Sequence, residues 1–135
     1  MKAKKAIIYT DGASQGNPGP AAIGGTIKDD KGRTLASISQ GIGRATNNQA
    51  EYRALIAALE KAISLGVSET DVYSDSELIV KQINGSYRVK NALLKPLYQR
   101  VKQLQSQLDS FTITHIPREQ NVEADNLAGA ALAAC

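Results

Sequence analysis

Apolar residues along the chain follow strand-like spacing in some segments and helix-like spacing in others. Runs typical of strands cover residues 7–10, 21–28, 33–42, 70–74 and 111–116. The Asp-Asp-Lys-Gly sequence between the second and third runs predicts a hairpin turn. We therefore expect the first three strands to form an antiparallel meander.

Helical spacing of apolar residues predicts helices between and after the later strands. Thr46 to Gln49 has the form of a capping box, and Gly66 ends the helix that follows. A second helix ends at residues 84–86, and an apolar stripe over residues 94–108 predicts a third that contacts the core. Asn121 is the expected N-cap of the last helix. This order of elements predicts an α/β fold whose sheet is covered on its faces.

The length and composition suit one domain over residues 1–135. The net charge is +3, and no apolar run is long enough for a membrane span. The basic start, Met1 to Lys5, leads into a strand rather than a signal-peptide core, so we expect a cytoplasmic protein that does not bind membranes. Cys135 is the only cysteine, which excludes an internal disulfide and a cysteine zinc site. Nothing in the sequence requires a dimer, so we expect a monomer.

Four acidic residues lie at strand ends or beside helix apolar faces: Asp11, Glu51, Asp75 and Asp125. Asp11 and Asp75 each follow an apolar run, and they lie side by side if the first and fourth strands are neighbours. Taken singly, each acid is more simply interpreted as a cap or a helix-dipole partner. Taken together they would repel one another, so a cluster needs a cation. Hard oxygen ligands favour Mg²⁺ or Mn²⁺, and two such ions suit phosphate displacement.

His115 is the lone histidine and ends the fifth predicted strand, ten residues before Asp125. A packed structural residue is one interpretation of its place. Because a polar loop separates it from Asp125, a role in proton transfer is the other. The sequence leaves both interpretations open.

The four acids and their surroundings resemble those of a type 1 ribonuclease H. The matching segments occur in order along almost the whole chain: Tyr9-Thr10-Asp11-Gly12, Gly16-Asn17-Pro18-Gly19, Thr46-Asn47-Asn48-Gln49-Ala50-Glu51, Ser74-Asp75-Ser76, and His115 to Asp125 ending in Glu123-Ala124-Asp125. Any one segment is a weak signal, whereas the Asp-Glu-Asp-Asp set in this context is highly specific.

The resemblance implies a five-stranded mixed sheet with helices on both faces. It implies an endoribonuclease that hydrolyses the RNA strand of RNA–DNA hybrids with two divalent ions, leaving 5′-phosphate and 3′-hydroxyl ends. Asp11, Glu51, Asp75 and Asp125 would be the catalytic metal ligands, and His115 would assist product release.

The resemblance also implies where the hybrid is held. Arg44, Thr46 and Asn91 match a pocket for a DNA phosphate. Other hybrid contacts fall at small or amide residues near the acids: Ser14, Gly16, Asn17, Asn47 and Gln49. Amide and backbone groups suit contact with RNA 2′-hydroxyls across a shallow minor groove. Arg88 and Lys90, in a basic connector, suit phosphate contacts that position the duplex.

Two features depart from the common family pattern. The chain has no Trp, and the basic insertion of many members is reduced here to residues 84–91. Glu77 stands where a substrate-contacting Gln often occurs. The short form is similar to the branch without a basic handle in archaea and some bacteria, where Arg118 takes part of the catalytic role.

Three other functions remain as alternatives. An inactive nucleic-acid-binding module of the same fold would not need all four acids. A related nuclease acting on DNA would not need segments that read 2′-hydroxyls. A small-molecule phosphatase would need a closed pocket and would leave the basic connector unexplained.

Overall fold

A five-stranded sheet forms the centre of the computed structural model, which describes residues 4–134. The strands are β1 (Lys5–Ser14), β2 (Gly19–Asp29), β3 (Thr34–Ala45), β4 (Glu69–Ser74) and β5 (Ser110–His115). The helices are α1 (Asn47–Ser64), α2 (Glu77–Ile83), α3 (Lys95–Gln105) and α4 (Val122–Ala133), with a short 3-10 helix at Arg118–Gln120. The predictions for Cys135 and for residues 1–3 of the basic start lie outside the described residues.

The strand order is β3-β2-β1-β4-β5. β1 pairs antiparallel with β2, and β2 pairs antiparallel with β3, as the hairpin signal predicts. β4 runs parallel to both β1 and β5. The prediction of a mixed sheet with three antiparallel strands at its start is confirmed.

Helices cover both faces of the sheet, which confirms the predicted layers. Neighbouring residues of a strand point to opposite faces, and in β1 Gly12 lies directly against the backbone of Ala50 in α1. Asp11, the preceding residue, is in register with Gly24 of β2, and Gly24 lies against the backbone of α4 at Ala128. A side chain at either glycine would overlap the helix backbone, so these glycines set how closely the two helices approach.

The main core lies on the α1 side of the sheet. Ile8, Val72, Tyr52 and Leu59 are fully buried there. The stripe predicted over residues 94–108 contributes three buried side chains to this cluster, Leu94, Val101 and Leu104. Its role as core contact is therefore confirmed.

Two local predictions were wrong in part. β1 continues past Asp11 to Ser14, because Gly12, Ala13 and Ser14 pair with β2, so Asp11 lies within a strand and not at its end. Asn121 does occupy the N-cap position of α4, but its side chain makes no capping hydrogen bond. The capping box of α1 is present as predicted.

A search of residues 4–134 for membrane-crossing segments finds no helix with the length and apolar character to cross a bilayer.

Candidate active site

The sheet register brings two of the four acids together. β1 and β4 are parallel, and Thr10 is in register with Ser74. Asp11 and Asp75 directly follow these two residues, so they lie side by side. Asp11 is only 7% exposed. The expected adjacency of the two aspartates, which depended on β1 and β4 being neighbours, is confirmed.

Glu51 reaches the same place from α1. The helix start is fixed by its capping box, in which the Gln49 N–H donates to the Thr46 hydroxyl and the Thr46 N–H donates to the Gln49 side chain at 2.8 Å. One turn later, the Glu51 carboxylate accepts a hydrogen bond from the Gly12 backbone N–H. Glu51 is thus held against β1 by the neighbour of Asp11.

Three carboxylates form a compact group that could hold a metal ion. Oxygens of Asp11, Glu51 and Asp75 all lie within 4.8 Å of one another. Asp125, in the first turn of α4, adds a fourth negative charge close enough to act on Asp11. All four acids line one cavity of about 350 Å³.

Burial and mutual repulsion make this group costly to ionise. Burial, followed by the charge of Asp75, raises the pKa of Asp11 from 3.8 to about 7. Burial, followed by the charge of Asp11, raises the pKa of Glu51 well above its usual value. A divalent cation would offset both effects, and oxygen ligands alone suit Mg²⁺ or Mn²⁺.

Arg118 and His115 occupy different places. Arg118 lines the cavity, and its guanidinium lies 3.6 Å from the Asp125 carboxylate. His115 is exposed at the end of β5 and is not among the described residues that line the cavity. It lies near Glu77, whose pKa is lowered mainly by a hydrogen bond from Lys81 and to a smaller extent by the charge of His115.

The loop between β1 and β2 lies beside the cavity. Two of the predicted hybrid contacts, Ser14 and Asn47, line this cavity. The backbone N–H of Asn47 donates to the side-chain oxygen of Asn17 at 3.1 Å, which ties the loop to the start of α1. Gly16 lies in the same loop, and its carbonyl accepts a hydrogen bond from the Ser14 hydroxyl.

Of the three residues predicted to form a phosphate pocket, Arg44 lines a cavity near the start of α1. Arg44 and Gln49 line a second cavity of about 260 Å³ together with Arg53. Thr46 and Asn91 are not among the residues that line it. The Thr46 hydroxyl caps α1, and the Asn91 side chain accepts a hydrogen bond from the Leu93 N–H at 2.7 Å.

The basic connector lies between two helices on the surface of the protein. Arg88 and Lys90 are exposed between α2 and α3. Arg88 lines a cavity of about 660 Å³ with Tyr87, Tyr98 and Lys95. The connector therefore offers cations next to aromatic rings.

Sequence reasoning missed several residues around the acids. Ser76 and Asn48 line the main cavity, and Arg53 lines the second one. Asn121 was interpreted only as a helix cap, yet its side-chain amide donates to Asp75. The one signal for this contact in the sequence is that Asn121 lies close to the segment Glu123-Ala124-Asp125.

Comparisons with known proteins agree with this arrangement. Residues 9–131 match the family described as Reverse transcriptase-like. Ribonuclease HI of Halobacterium salinarum is 46% identical over 124 residues, which cover 92% of this chain and 62% of that protein. A bifunctional protein of Mycobacterium tuberculosis is 45% identical over 129 residues, 95% of this chain and 35% of that protein. The chain thus spans less than two thirds of the length of both relatives.

Two solved structures are similar over nearly the whole chain. The crystal structure of RNase H1 from Halobacterium salinarum superimposes with a TM-score of 0.94 at 44% identity, covering 97% of this chain and 99% of that one. LC11-RNase H1, crystallised in complex with an RNA/DNA hybrid, superimposes with a TM-score of 0.91 at 45% identity. That alignment covers 96% of this chain and 97% of the other.

Proposed function

This chain belongs to the type 1 ribonuclease H family, and we propose that it hydrolyses the RNA strand of RNA–DNA hybrids with divalent metal ions. The observation that carries the proposal is the group of three carboxylates within 4.8 Å, held by β1, α1 and the end of β4. The similarity to a structure crystallised with an RNA/DNA hybrid supports the hybrid as substrate.

The acids fit a metal site by their chemistry. Their oxygens are hard ligands, and the raised pKa values of Asp11 and Glu51 mark a buried group of like charges that lacks compensation. We assign Asp11, Glu51, Asp75 and Asp125 as ligands of two Mg²⁺ ions, with Mn²⁺ as a substitute. When bound, the ions would activate the attacking water and stabilise the attacking and leaving oxygens, giving 5′-phosphate and 3′-hydroxyl ends.

The chain's own residues would bind and orient the substrate. Arg118, at the cavity, carries a permanent charge that can stabilise the anionic phosphate undergoing cleavage. His115, exposed at the end of β5, can move a proton or ease product release. Asn47 and Ser14 line the cavity and offer polar groups to the RNA strand.

Phosphates farther along the hybrid would contact residues of the second cavity and of the connector. Arg44 and Gln49 line the cavity near the start of α1, and we propose that they bind the DNA strand. Arg88 and Lys90 are exposed on the connector and would add sequence-independent phosphate contacts. We propose one ribonuclease H domain over residues 1–135 that acts as a monomer in the cytoplasm, with the hybrid rather than a membrane as its partner.

The test is a cleavage assay on end-labelled RNA–DNA, RNA–RNA and DNA–DNA duplexes of one sequence, with Mg²⁺ and with EDTA. We expect Mg²⁺-dependent cuts in the RNA of the hybrid only, with 5′-phosphates on the products. Binding without cleavage would instead indicate a nucleic-acid-binding module, and cleavage of DNA–DNA a related DNA nuclease. Asp11→Asn protein serves as the inactive control.

A further inference from the structure

Asn121 is buried beside the acidic group, and its side chain does not cap α4 as its N-cap position predicts. Its side chain is 1% exposed at the N-cap of α4. Asparagine at this position normally accepts a hydrogen bond from the helix backbone, but none is made here. The side-chain amide instead donates to the Thr10 carbonyl at 2.9 Å and to the Asp75 carboxylate at 3.3 Å.

The orientation of this amide follows from its partners. A carbonyl and a carboxylate only accept hydrogen bonds, so the NH₂ group must face both of them. The Asn121 side-chain oxygen is then left buried without a hydrogen-bond partner. A buried unpaired acceptor is destabilising. Ser or Asp at this position would cap the helix without leaving such an acceptor. Helix capping therefore does not explain why asparagine occupies this position.

The contacts of Asn121 involve two of the four acids and the neighbour of a third. It binds Asp75 directly. Thr10, its second partner, is followed at once by Asp11. Its own backbone carbonyl accepts the N–H of Asp125 at 3.1 Å. One residue thus links β1 and the residue that follows β4 to the first turn of α4.

We propose that Asn121 is a positioning residue that fixes the Asp75 carboxylate and its spacing from Asp11 and Asp125 for divalent-metal binding. This inference rests on the proposed function. A donor held against one oxygen of the Asp75 carboxylate restricts rotation of that group. Side chains that hydrogen-bond to a metal ligand orient that ligand, and their loss typically lowers metal affinity by about 10- to 100-fold.

The test measures Mn²⁺ binding to the full chain without substrate, by electron paramagnetic resonance of free Mn²⁺, alongside Tm in EDTA. The variants are Asn121→Ala and Asn121→Ser; Ser is favoured at N-caps and so retains α4 if Ala does not fold. Asn84→Ala is the matched control, because the Asn84 amide also donates to a strand carbonyl, that of Ile113 at 3.1 Å, away from the acids. Asp11→Asn reports whether the acidic group binds Mn²⁺ at all.

We expect both Asn121 variants to bind Mn²⁺ about 10-fold or more weakly than the wild type. Asn84→Ala should lower Tm and leave Mn²⁺ affinity unchanged. Wild-type affinity in Asn121→Ser would overturn the inference, as would an equal loss in Asn84→Ala. If the wild type and Asp11→Asn bind Mn²⁺ alike, the metal site of the proposed function itself fails, and the two failures are thereby distinguished.

Discussion

The guanidinium of Arg118 lies 3.6 Å from the carboxylate of Asp125, at a cavity lined by four acids. Among the described residues that line this cavity, Arg118 is the only one with a basic side chain. Exposed ion pairs contribute little to stability, and the Arg118 side chain is 79% exposed. Its place at the cavity supports the proposal that it contacts a bound phosphate.

Replacing Arg118 should therefore affect catalysis more than folding. We expect Arg118→Ala to lower kcat by about 10- to 100-fold. This loss is no greater than that caused by removing one preorganised donor from an oxyanion hole. Tm should change little. His115→Ala should lower kcat less, because His115 lies outside the cavity lining. Steady-state cleavage of a labelled hybrid measures kcat, and thermal unfolding measures Tm.

The matched control for Arg118 is Arg100→Ala, which removes the same charge from a surface pair with Glu60 at 2.7 Å. This variant should retain wild-type turnover. A greater loss of kcat in His115→Ala than in Arg118→Ala would assign the main role to the histidine. Loss of Tm without loss of turnover in His115→Ala would indicate a packed structural residue.

Asp11→Asn should abolish hydrolysis and leave folding and hybrid binding largely intact. Removing one charge from a buried group of acids also relieves repulsion, so Tm in EDTA should rise by a few degrees, since one pKa unit corresponds to about 1.4 kcal/mol. Calorimetry and a cleavage assay provide the two measurements. Asp30→Asn makes the same charge change at an exposed turn and should alter neither Tm nor hydrolysis. Near-normal turnover by folded Asp11→Asn protein would refute its assignment as a ligand.

The metal-free protein should lose stability as the pH rises from about 4 to about 7. Burial and the Asp75 charge raise the pKa of Asp11 from 3.8 to about 7, so the folded state binds more protons than the unfolded chain in this range. The stabilisation is complete below the unfolded pKa and is lost as the pH passes the folded one. Urea unfolding in EDTA at several pH values measures the slope.

Two comparisons assign that slope to the acidic group. Asp11→Asn should flatten it, and Mg²⁺ should restore stability above about pH 7 because it binds the ionised carboxylates. Asp29 acts in a separate range: hydrogen bonds from Arg33 lower its pKa, so its contribution is lost only as the pH falls. Stability that rises steadily between about pH 4 and 7 in EDTA would contradict the expected sign.

Hybrid binding should depend on salt, with a modest slope. Each phosphate neutralised releases about 0.9 counterions, and a few contacts would give a log–log slope of about 3 to 5. Lys90→Ala should reduce it by about 1. Kd measured in EDTA between about 50 and 200 mM salt tests this. Lys31→Ala should leave the slope unchanged, because Lys31 lies in the β2–β3 turn beside the start of β1, at the end of that strand away from Asp11. A Kd insensitive to salt would argue against phosphate contacts.

The sequence predicted those parts of the structure that depend on local patterns. Strand and helix periodicity, the capping box at Thr46 and the hairpin at residues 29–32 are local signals, and they were sufficient for the antiparallel first three strands. The mixed five-stranded sheet was implied by the resemblance to ribonuclease H. The proximity of Asp11 and Asp75 followed once β1 and β4 were taken as neighbours.

The remaining features depend on contacts between distant segments. β1 continues past Asp11 because Gly12 and Ala13 pair with β2, which the glycines and prolines of the loop obscure. The hydrogen bond from Asn121 to Thr10 joins residues 111 positions apart. An asparagine before a helix is usually a cap, so its donation to a remote strand leaves no local signal.

Gly12 makes a final prediction possible, because it follows Asp11 directly and its backbone N–H donates the hydrogen bond to Glu51. A Cβ at Gly12 would overlap the backbone of Ala50, which cannot move aside without shifting α1 and with it Glu51. We expect Gly12→Ala to destabilise the fold by about 1 to 3 kcal/mol and to reduce turnover more than this loss explains. Gly129→Ala is the control: nothing lies within 4 Å of its added Cβ in α4, so it should stabilise by about 0.5 to 1 kcal/mol. Urea unfolding and kcat measure both variants. Wild-type stability and turnover in Gly12→Ala would mean that α1 can retreat without moving Glu51, and that its close approach to β1 is not what positions the carboxylate.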